Sequence, residues 1–254
     1  MSIEVRSDDA GVARVTINNP DRRNALDEAM FRQLADLWPR LEADSAVRCV
    51  LLAGAGSDAF CSGADLSADW SRVADRDELI DRALLKTSRF PKPVVAAING
   101  HCVAGGLELA LSADVRAVRR GARLGLPEVR WGIFPSGGAA MKLPDQIPRT
   151  LAMEMLLTGR LIDAEQALAA GLVGRVLDAA GLERWGEETA ERIAANSPAA
   201  VQAVKRFCDE AAARQLDGVR ALEDELVAGV RASGQAEEGI AAFLEKRTPV
   251  YRNV

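Results

Sequence analysis

The sequence predicts an α/β fold, and three observations support that prediction. Short, nearly all-apolar runs, such as VRCVLLA at 47–53 and VVAAI at 94–98, have the length and β-branched content of strands buried on both faces. Segments with helical periodicity lie between these runs, and from residue 148 onward the pattern is almost entirely helical. Buried strands that alternate with helices are typical of a sheet covered by helices.

The N-terminal part of the chain contains most of the predicted strands. Residues 2–6 and 12–17 alternate apolar and polar side chains around a turn at 8–11, which predicts a β-hairpin. Leucine and methionine then recur at spacings of three and four, which predicts a helix over 27–42. Further strands are predicted at 47–53, 94–98 and 115–118, with a short extended piece at 122–126.

The intervening segments and the C-terminal part differ from this pattern. A loop rich in glycine, serine and alanine is predicted at 54–64, and the charged stretch 69–82 is predicted to be mobile. Gly105 and Gly106 precede a helix-forming run that ends near Ala113, so they are predicted to lie at a helix N-terminus. The C-terminal part has one predicted strand at 173–177 and predicted helices at 151–157, 163–170, 181–195, 198–214, 217–231 and 235–246.

Composition argues against several classes of protein. The 254 residues, 48% of them hydrophobic, are enough to bury a sizeable core. Acidic side chains outnumber basic ones by 37 to 32, so no electrostatic attraction to nucleic acid is expected. No apolar run approaches the roughly 20 residues that cross a bilayer, and the N-terminus has no signal-peptide pattern. The four cysteines are far apart, so we expect a cytoplasmic protein with reduced thiols and no membrane partner.

Three common kinds of active site find little support in the sequence. The segment GAGSDA at 54–59 matches a dinucleotide-binding pattern, but the match is only superficial. No helix follows it directly, and no second strand ends in a suitable acid. Neither Ser62 nor Ser136 stands in a G-x-S-x-G motif. His101 is the single histidine, so no metal site is predicted, and we interpret His101 as a packed or hydrogen-bonded side chain.

Two loops and two acids remain as candidates for chemistry. Gly63-Ala64 and Gly105-Gly106 each follow a predicted strand, and two uncovered backbone N–H groups from such loops can stabilise a negative oxygen. Glu108 lies among apolar residues, and Glu128 follows Pro127 at the end of a short strand. Each glutamate is either a buried structural group or an acid/base with a shifted pKa, and spacing alone leaves both interpretations open.

The chain resembles the crotonase superfamily, the enoyl-CoA hydratase/isomerase family. The resemblance covers essentially the whole chain and rests on six ordered segments: NPDRRNALD, AFCSGADL, KPVVAAINGHCVAGGLELALSAD, LGLPEVRWGIFPSGG, LTGRLIDAEQALAAGLVGRV and EGIAAFLEKRTPVY. It implies a crotonase-like (ClpP/crotonase) superhelix of ββα units over residues 1–195. It also implies that residues 196–254 form a helical trimerisation region, and that the protein is a trimer or a hexamer built from two trimers.

The resemblance also assigns roles to particular residues. The family's oxyanion-hole amides fall on Ala64 and Gly105, and its two hydratase glutamates fall on Glu108 and Glu128. We expect Glu108 to activate water and Glu128 to protonate Cα. Coenzyme A, which enters as part of the substrate with no separate cofactor, is expected to contact Arg22, Ala25, Asp65 and Leu66, with Phe243 and Lys246 supplied by a neighbouring subunit.

The implied reaction is the syn addition of water to a trans-2-enoyl-CoA, giving a 3-hydroxyacyl-CoA. A Δ3,Δ2-enoyl-CoA isomerase, another crotonase reaction and a non-catalytic acyl-CoA-binding scaffold are the alternatives. The sequence departs from the family pattern at Ser136, where many hydratases have a glycine that helps to hold the catalytic water, and at Ala104, which replaces a common glycine. These departures leave room for an altered substrate.

Overall fold

The computed structural model describes residues 1–213, 224, 227–229, 231, 232 and 234–249. In chain order its strands are β1 (Ser2–Ser7), β2 (Val12–Asn18), β3 (Cys49–Gly54), β4 (Ala59–Cys61), β5 (Val94–Ile98), β6 (His101–Val103), β7 (Val115–Arg119), β8 (Arg123–Gly125), β9 (Leu161–Asp163) and β10 (Arg175–Leu177). Its helices are α1 (Glu28–Ala43), α2 (Arg76–Leu84), α3 (Gly105–Ala110), α4 (Ala139–Gln146), α5 (Arg149–Thr158), α6 (Ala164–Ala169), α7 (Ala179–Ala194), α8 (Pro198–Ala213) and α9 (Gln235–Leu244).

Two sheets organise the fold. The larger sheet has the order β1-β2-β3-β5-β7-β10, in which β1 and β2 are antiparallel and the other neighbours are parallel. The smaller sheet has the order β4-β6-β8-β9, in which β4, β6 and β8 are parallel. Each of β3, β5 and β7 is followed by one of these short strands and then by a helical segment, so the strand-strand-helix unit repeats along the chain.

The larger sheet is covered on both faces, as its apolar strands predict. Alternate residues such as Val50 and Leu52 on β3 pack into the main core with α1, whereas Cys49 and Leu51 face a second cluster that includes Leu182 of α7. Side chains that alternate along a strand point to opposite faces, so a strand buried on both sides needs apolar residues at consecutive positions. This requirement accounts for the continuous apolar runs in the sequence.

Helix α1 shows how the sequence determines one covering element. Its N-cap is Asp27, whose carboxylate accepts a hydrogen bond from the Met30 N–H at 2.8 Å. A capping bond of this kind contributes about 1 kcal/mol to helix stability. Trp38, on the buried face of α1, donates from Nε1 to the Ala83 carbonyl at 2.9 Å and so joins α1 to α2.

The predicted α/β class is confirmed, and most predicted elements lie within two residues of their expected ends. Strands β4, β6 and β9 and helix α4 were not predicted, because three-residue strands show no period and α4 contains Pro144. The charged stretch 69–82, predicted to be mobile, contains a 3-10 helix at Trp70–Arg72 and most of α2. Helix α2 has few apolar side chains, but Leu79, Ala83 and Leu84 share its buried face and anchor it.

The C-terminal part is described in pieces. Helices α8 and α9 agree with the predictions at 198–214 and 235–246, and the boundary predicted at residue 195 falls between α7 and α8. Most of the helix predicted over 217–231 lies outside the described residues. Within the described part of the chain, no helix is long and apolar enough to cross a membrane.

Candidate active site

The candidate site lies where three parallel strands of the smaller sheet end. Strand β4 leads to Ala64, β6 leads to Gly105 and Glu108, and β8 leads to Glu128. Because parallel strands end at the same edge of a sheet, these residues are brought together although 64 positions separate the first from the last. The structure therefore assembles the four residues that the sequence singled out as candidates, and all four line one cavity.

The loops after β4 and β6 approach each other closely. A Cβ at Gly105 would lie 3.7 Å from the amide nitrogen of Ala64, and a Cβ at Gly63 would lie 2.8 Å from the Cβ of Ala104. Gly63 also has φ +94°, a conformation that favours glycine. The contact between the loops therefore requires glycine at position 63.

The amides of Ala64 and Gly105 are available to a ligand. Neither N–H donates a hydrogen bond to another described residue, and Gly105, as the first residue of α3, has no acceptor within its own helix. Their neighbours, by contrast, are bonded: Asp65 N–H donates to Leu26 O at 2.8 Å and Ala104 N–H donates to Gly125 O at 2.9 Å. Two free amides held close together can bind an oxygen that becomes negatively charged.

Asn24 holds the first of these loops in place. Its side-chain amide donates to the Ala59 carbonyl at 2.7 Å, and its Oδ1 accepts from the Asn19 N–H at 2.9 Å. The adjacent Leu26 N–H donates to the Gly63 carbonyl at 2.8 Å. The segment at 19–26 therefore supports the loop that carries the Ala64 amide, a role that sequence reasoning did not assign to Asn24.

Glu108 is buried on helix α3 and is held by the first residue of α4. Its Oε1 accepts a hydrogen bond from the Ala139 N–H at 3.2 Å. A Cβ at Gly137 would overlap the other carboxylate oxygen, so only glycine leaves room for Glu108 in this position. A hydrogen bond from a backbone amide favours the ionised carboxylate, the form in which a glutamate accepts a proton.

Glu128 has a different environment. It is only 8% exposed, and neither of its carboxylate oxygens has a hydrogen-bond partner among the described residues. Burial raises the pKa of Glu128 well above its usual value, and the nearby Glu108 charge raises it further. A buried glutamate that keeps its proton can act as an acid. The two glutamates are therefore suited to opposite protonation states.

These groups line a cavity of about 880 Å³. Its apolar wall comes from several elements and includes Phe31, Trp70, Ile80, Leu84, Trp131, Ile133, Phe134, Val227, Ile240 and Phe243. Charged side chains, including those of Arg22 and Arg23, line other parts of the wall. A mostly apolar cavity with a few converging polar groups is the usual form of a small-molecule site.

The residues expected to contact coenzyme A are found in two places. Arg22, Ala25, Asp65 and Leu66 all line the cavity, and Arg22 is held by Asp65, with Nη1 and Oδ2 2.6 Å apart. Phe243 lines the cavity of its own chain, although a neighbouring subunit was expected to supply it. The reason is that α9 packs against residues 128–132, where the Trp131 and Phe243 rings meet edge to face at 5.0 Å. Lys246 does not line the cavity.

Two further sequence candidates also lie at the cavity. Ser136 lines it, one residue before Gly137 and three before the amide that binds Glu108. His101 lines it as well, and its Nδ1 accepts a hydrogen bond from the Arg123 N–H at 3.0 Å. This bond agrees with the interpretation of His101 as a hydrogen-bonded side chain. In the part of the chain that the structure describes, no three His, Cys, Asp or Glu side chains form a possible metal site.

Lys142 is a half-buried cation near the site that sequence reasoning did not identify. Its ammonium donates to the Leu85 carbonyl and to Ser112 Oγ, both at 2.7 Å. Burial lowers the pKa of Lys142 to about 8, although the Glu108 carboxylate opposes that shift. The Lys142 side chain thus connects α4 to the residues that follow α2 and α3. Its sequence signal, one lysine in GGAAMKLP, is too weak to reveal this role.

Comparison with known proteins agrees with this geometry. The family profile described as Enoyl-CoA hydratase/isomerase matches residues 7–253. The chain is 38% identical to Enoyl-CoA hydratase EchA19 of Mycobacterium tuberculosis over 94% of this chain and 92% of that protein. It is 37% identical to (E)-benzylidenesuccinyl-CoA hydratase of Thauera aromatica, over 95% of each chain.

A solved structure supports the same relationship. Carnitinyl-CoA hydratase from Mycobacterium avium superposes with a TM-score of 0.89 at 34% identity, covering 98% of this chain and 97% of the other. The predicted crotonase-like fold is thereby confirmed.

Proposed function

Because this chain belongs to the enoyl-CoA hydratase/isomerase family, we propose that it is an enoyl-CoA hydratase. It adds water to a trans-2-enoyl-CoA thioester and yields a 3-hydroxyacyl-CoA. The observation that supports hydration most directly is the pair of buried glutamates, one bonded to an amide and the other without a partner among the described residues. Hydration needs a base for water and an acid for carbon, and this pair supplies both.

The thioester oxygen binds to the amides of Ala64 and Gly105. When water attacks C3, the electron pair of the double bond moves toward the carbonyl, and negative charge develops on that oxygen. Two preorganised N–H groups stabilise the charge without reorganising, and the loss of one such donor typically costs about 10²–10³ in rate. The close contact between the loops at Gly63 and Ala104 supports this step.

The glutamates divide the two proton transfers. Ionised Glu108 takes a proton from water as the oxygen bonds to C3, and protonated Glu128 delivers its proton to Cα. Both protons and the new C–O bond are then accounted for, and the two carboxyls exchange protonation states in one turnover. The raised pKa of Glu128 supports its role as the acid. Addition of both groups from the glutamate side of the substrate gives the syn product.

Coenzyme A and Ser136 complete the proposed site. Arg22, Ala25, Asp65 and Leu66 contact the coenzyme A part of the substrate, and the Arg22–Asp65 ion pair supports this assignment by fixing the guanidinium. Phe243 contacts the bound thioester from within the same chain. Ser136 lies beside the catalytic water, where its side chain narrows the space.

The proposal includes a trimer or a hexamer. Val204 and Phe207 of α8 are 65% and 74% exposed, three positions apart on one helix. Large exposed apolar side chains that share a helix face are typical of surfaces that bind another chain. Sedimentation should therefore give a trimer or a larger assembly, and a monomer at working concentration would contradict this part of the proposal.

The experiment that tests the reaction is a hydration assay. Loss of the enoyl-thioester absorbance is followed for trans-2-enoyl-CoAs from short to long, including an aromatic one. Glu128→Gln should lower the rate by about 10²–10⁴, the usual contribution of an acid/base group. The control is Glu183→Gln, which changes an exposed glutamate on α7 and should leave the rate unchanged.

A different result would favour another reaction. If no 2-enoyl-CoA is hydrated but 3-hexenoyl-CoA is converted to its 2-enoyl isomer, the protein is an isomerase. If thioesters bind without any turnover across the chain lengths, it is a binding scaffold.

A further inference from the structure

Helix α2 connects the reaction end of the cavity to its other end. Leu84, the last residue of α2, would lie 3.8 Å from a Cβ at Gly105, so this end of the helix adjoins the oxyanion loops. Ile80 and Arg76 line the cavity at successive spacings of four residues toward the helix start. At about 1.5 Å per residue, Arg76 begins roughly 12 Å along the helix from Leu84.

Two guanidinium groups and one carboxylate meet at this far end. Arg76 and Arg231 both line the cavity. Arg231 donates to both oxygens of Asp77, with distances of 2.7 and 2.5 Å, and these bonds hold the pKa of Asp77 below its usual value. Arg76 Nε lies 3.7 Å from Asp77 Oδ1, beyond hydrogen-bond distance. Asp77 is therefore hydrogen-bonded to Arg231, and its longer ion pair with Arg76 leaves the Arg76 guanidinium without a hydrogen bond to another described residue.

The other described charges near Arg76 line a smaller adjoining cavity. This cavity is lined by Asp77 and Arg231 together with Lys86 and Asp224, which contribute one charge of each sign. Arg231 bonds to Asp77, whereas the side chain of Arg76 donates no hydrogen bond to another described residue. The Arg76 guanidinium therefore keeps its donors for a ligand.

The surrounding wall is apolar, since Ile80 and Val227 line both cavities and Phe31 and Ile240 line the large one. A plain alkyl chain would gain nothing from a cation at this position. An anion would gain a charge-assisted hydrogen bond, and the planar guanidinium suits a carboxylate, which it can bind with two parallel bonds.

We propose that this cavity accepts acyl groups that end in a carboxylate, and that Arg76 binds this carboxylate with Arg231 beside it. The inference rests on the proposed function only in taking a coenzyme A thioester as the ligand. It adds the chemical class of the acyl group, a dicarboxylic chain attached through one end to the thioester. The span along α2 favours a chain of intermediate length over the shortest one.

Binding can be measured without turnover. Saturated thioesters have no double bond to hydrate, so calorimetry compares succinyl-, adipyl- and suberyl-CoA with butyryl-, hexanoyl- and octanoyl-CoA, which carry a methyl group instead of the second carboxylate. At one or more of the three chain lengths, the dissociation constant of the dicarboxylic thioester should be at least tenfold lower than that of its methyl-ended counterpart. Equal or weaker binding of the dicarboxylic member at every length would overturn the proposal.

Two variants identify the group responsible. Arg76→Gln should remove most of the preference and leave the dissociation constants of the methyl-ended thioesters within about twofold. Arg82→Gln is the matched control, because Arg82 lies on the same helix and pairs with Asp36 outside the cavity, so the preference should persist. If Arg76→Gln weakens both series equally, Arg76 binds a coenzyme A phosphate and the proposal is wrong.

This test is separate from the test of hydration. If the protein prefers adipyl-CoA but hydrates no enoyl-CoA, the anion site is supported and the proposed reaction is wrong. If the protein hydrates enoyl-CoAs but shows no preference for the dicarboxylic thioester at any chain length, the proposed reaction is supported and the anion site is wrong.

Discussion

The two ends of the cavity are held in different ways. At the reaction end, Ala64, Gly105 and Glu128 each follow a strand of the smaller sheet by two or three residues, and backbone hydrogen bonds fix the loops that carry them. At the far end, which we call the acyl end because we propose that it holds the acyl group, the wall consists of side chains from α2, from residues 227 and 231, and from α9, joined in part by the Arg231–Asp77 ion pair. The reaction end is therefore fixed by the backbone and the acyl end by side-chain packing.

This difference separates rate from selectivity. Substitutions that disturb the loops should lower kcat whatever the acyl group is. Substitutions in the helical wall should change KM and the choice of substrate while the chemical step continues. Substitutions at each end of the cavity can test that separation.

Gly63→Ala should lower kcat by about 10²–10³, the typical cost of one lost oxyanion donor. The added Cβ would lie 2.8 Å from the Ala104 Cβ and 3.1 Å from the Gly105 nitrogen, and it would force the two loops apart. Gly121→Ala is a matched control, since Gly121 also has positive φ, at +82°, but has open space around its Cβ position. Steady-state kinetics give kcat for both variants. Equal losses of kcat would show that backbone strain alone causes the effect.

Glu128→Gln should stabilise the folded protein above about pH 4.5 although it lowers the rate of hydration. The folded pKa of Glu128 lies above its ordinary value of 4.5, so the folded state binds the proton more tightly than the unfolded state does. The resulting stabilisation is complete below about pH 4.5 and is lost as pH rises through the folded pKa. Glutamine carries no such dependence. Each unit of raised pKa corresponds to about 1.4 kcal/mol.

Urea unfolding at several pH values measures this effect. The free energy of unfolding of Glu128→Gln, minus that of the unmodified protein, should increase from pH 5 to pH 8. A difference that is constant or that falls with pH would contradict the raised pKa. The same shift predicts that hydration slows as pH rises through the Glu128 pKa, because the acid form is then lost.

Phe243→Ala should change binding more than chemistry. The Phe243 ring packs edge to face on Trp131 at 5.0 Å, and such a pair contributes about 0.5–1.5 kcal/mol. We expect KM to rise about two- to tenfold and kcat to stay within about twofold. Leu244→Ala is the control, because Leu244 is adjacent on α9 and does not line the cavity. A drop in kcat as large as that of Gly63→Ala would show that the two ends are not separable.

The sequence predicted which residues meet at one end of the cavity, because the signals that mark them are local. Gly63 and Gly105 mark backbone that approaches closely, and Glu108 and Glu128 are acids in apolar surroundings. Each of these signals is visible within a few residues. The long strands were predictable for the same reason, since burial on both faces requires an apolar residue at every position.

The acyl end could not be predicted in the same way. Arg76 and Arg231 stand in segments that read as solvated charge, and their convergence on Asp77 depends on the packing of distant elements. Asn24 and Lys142 were missed for a similar reason, because their partners lie tens of residues away. Phe243 was assigned to a neighbouring subunit by the resemblance to the family, and its local sequence does not show that α9 packs on Trp131.

Water labelled with ¹⁸O tests most directly whether the two glutamates add water to an enoyl thioester. Trans-2-hexenoyl-CoA is incubated with the unmodified protein, with Glu108→Gln and with Glu128→Gln, and the products are analysed by mass spectrometry. We expect 3-hydroxyhexanoyl-CoA with one ¹⁸O from the unmodified protein and, over the same period, almost none from either variant. Label incorporated equally by all three proteins would contradict this expectation, and so would a double-bond isomer without label from the unmodified protein.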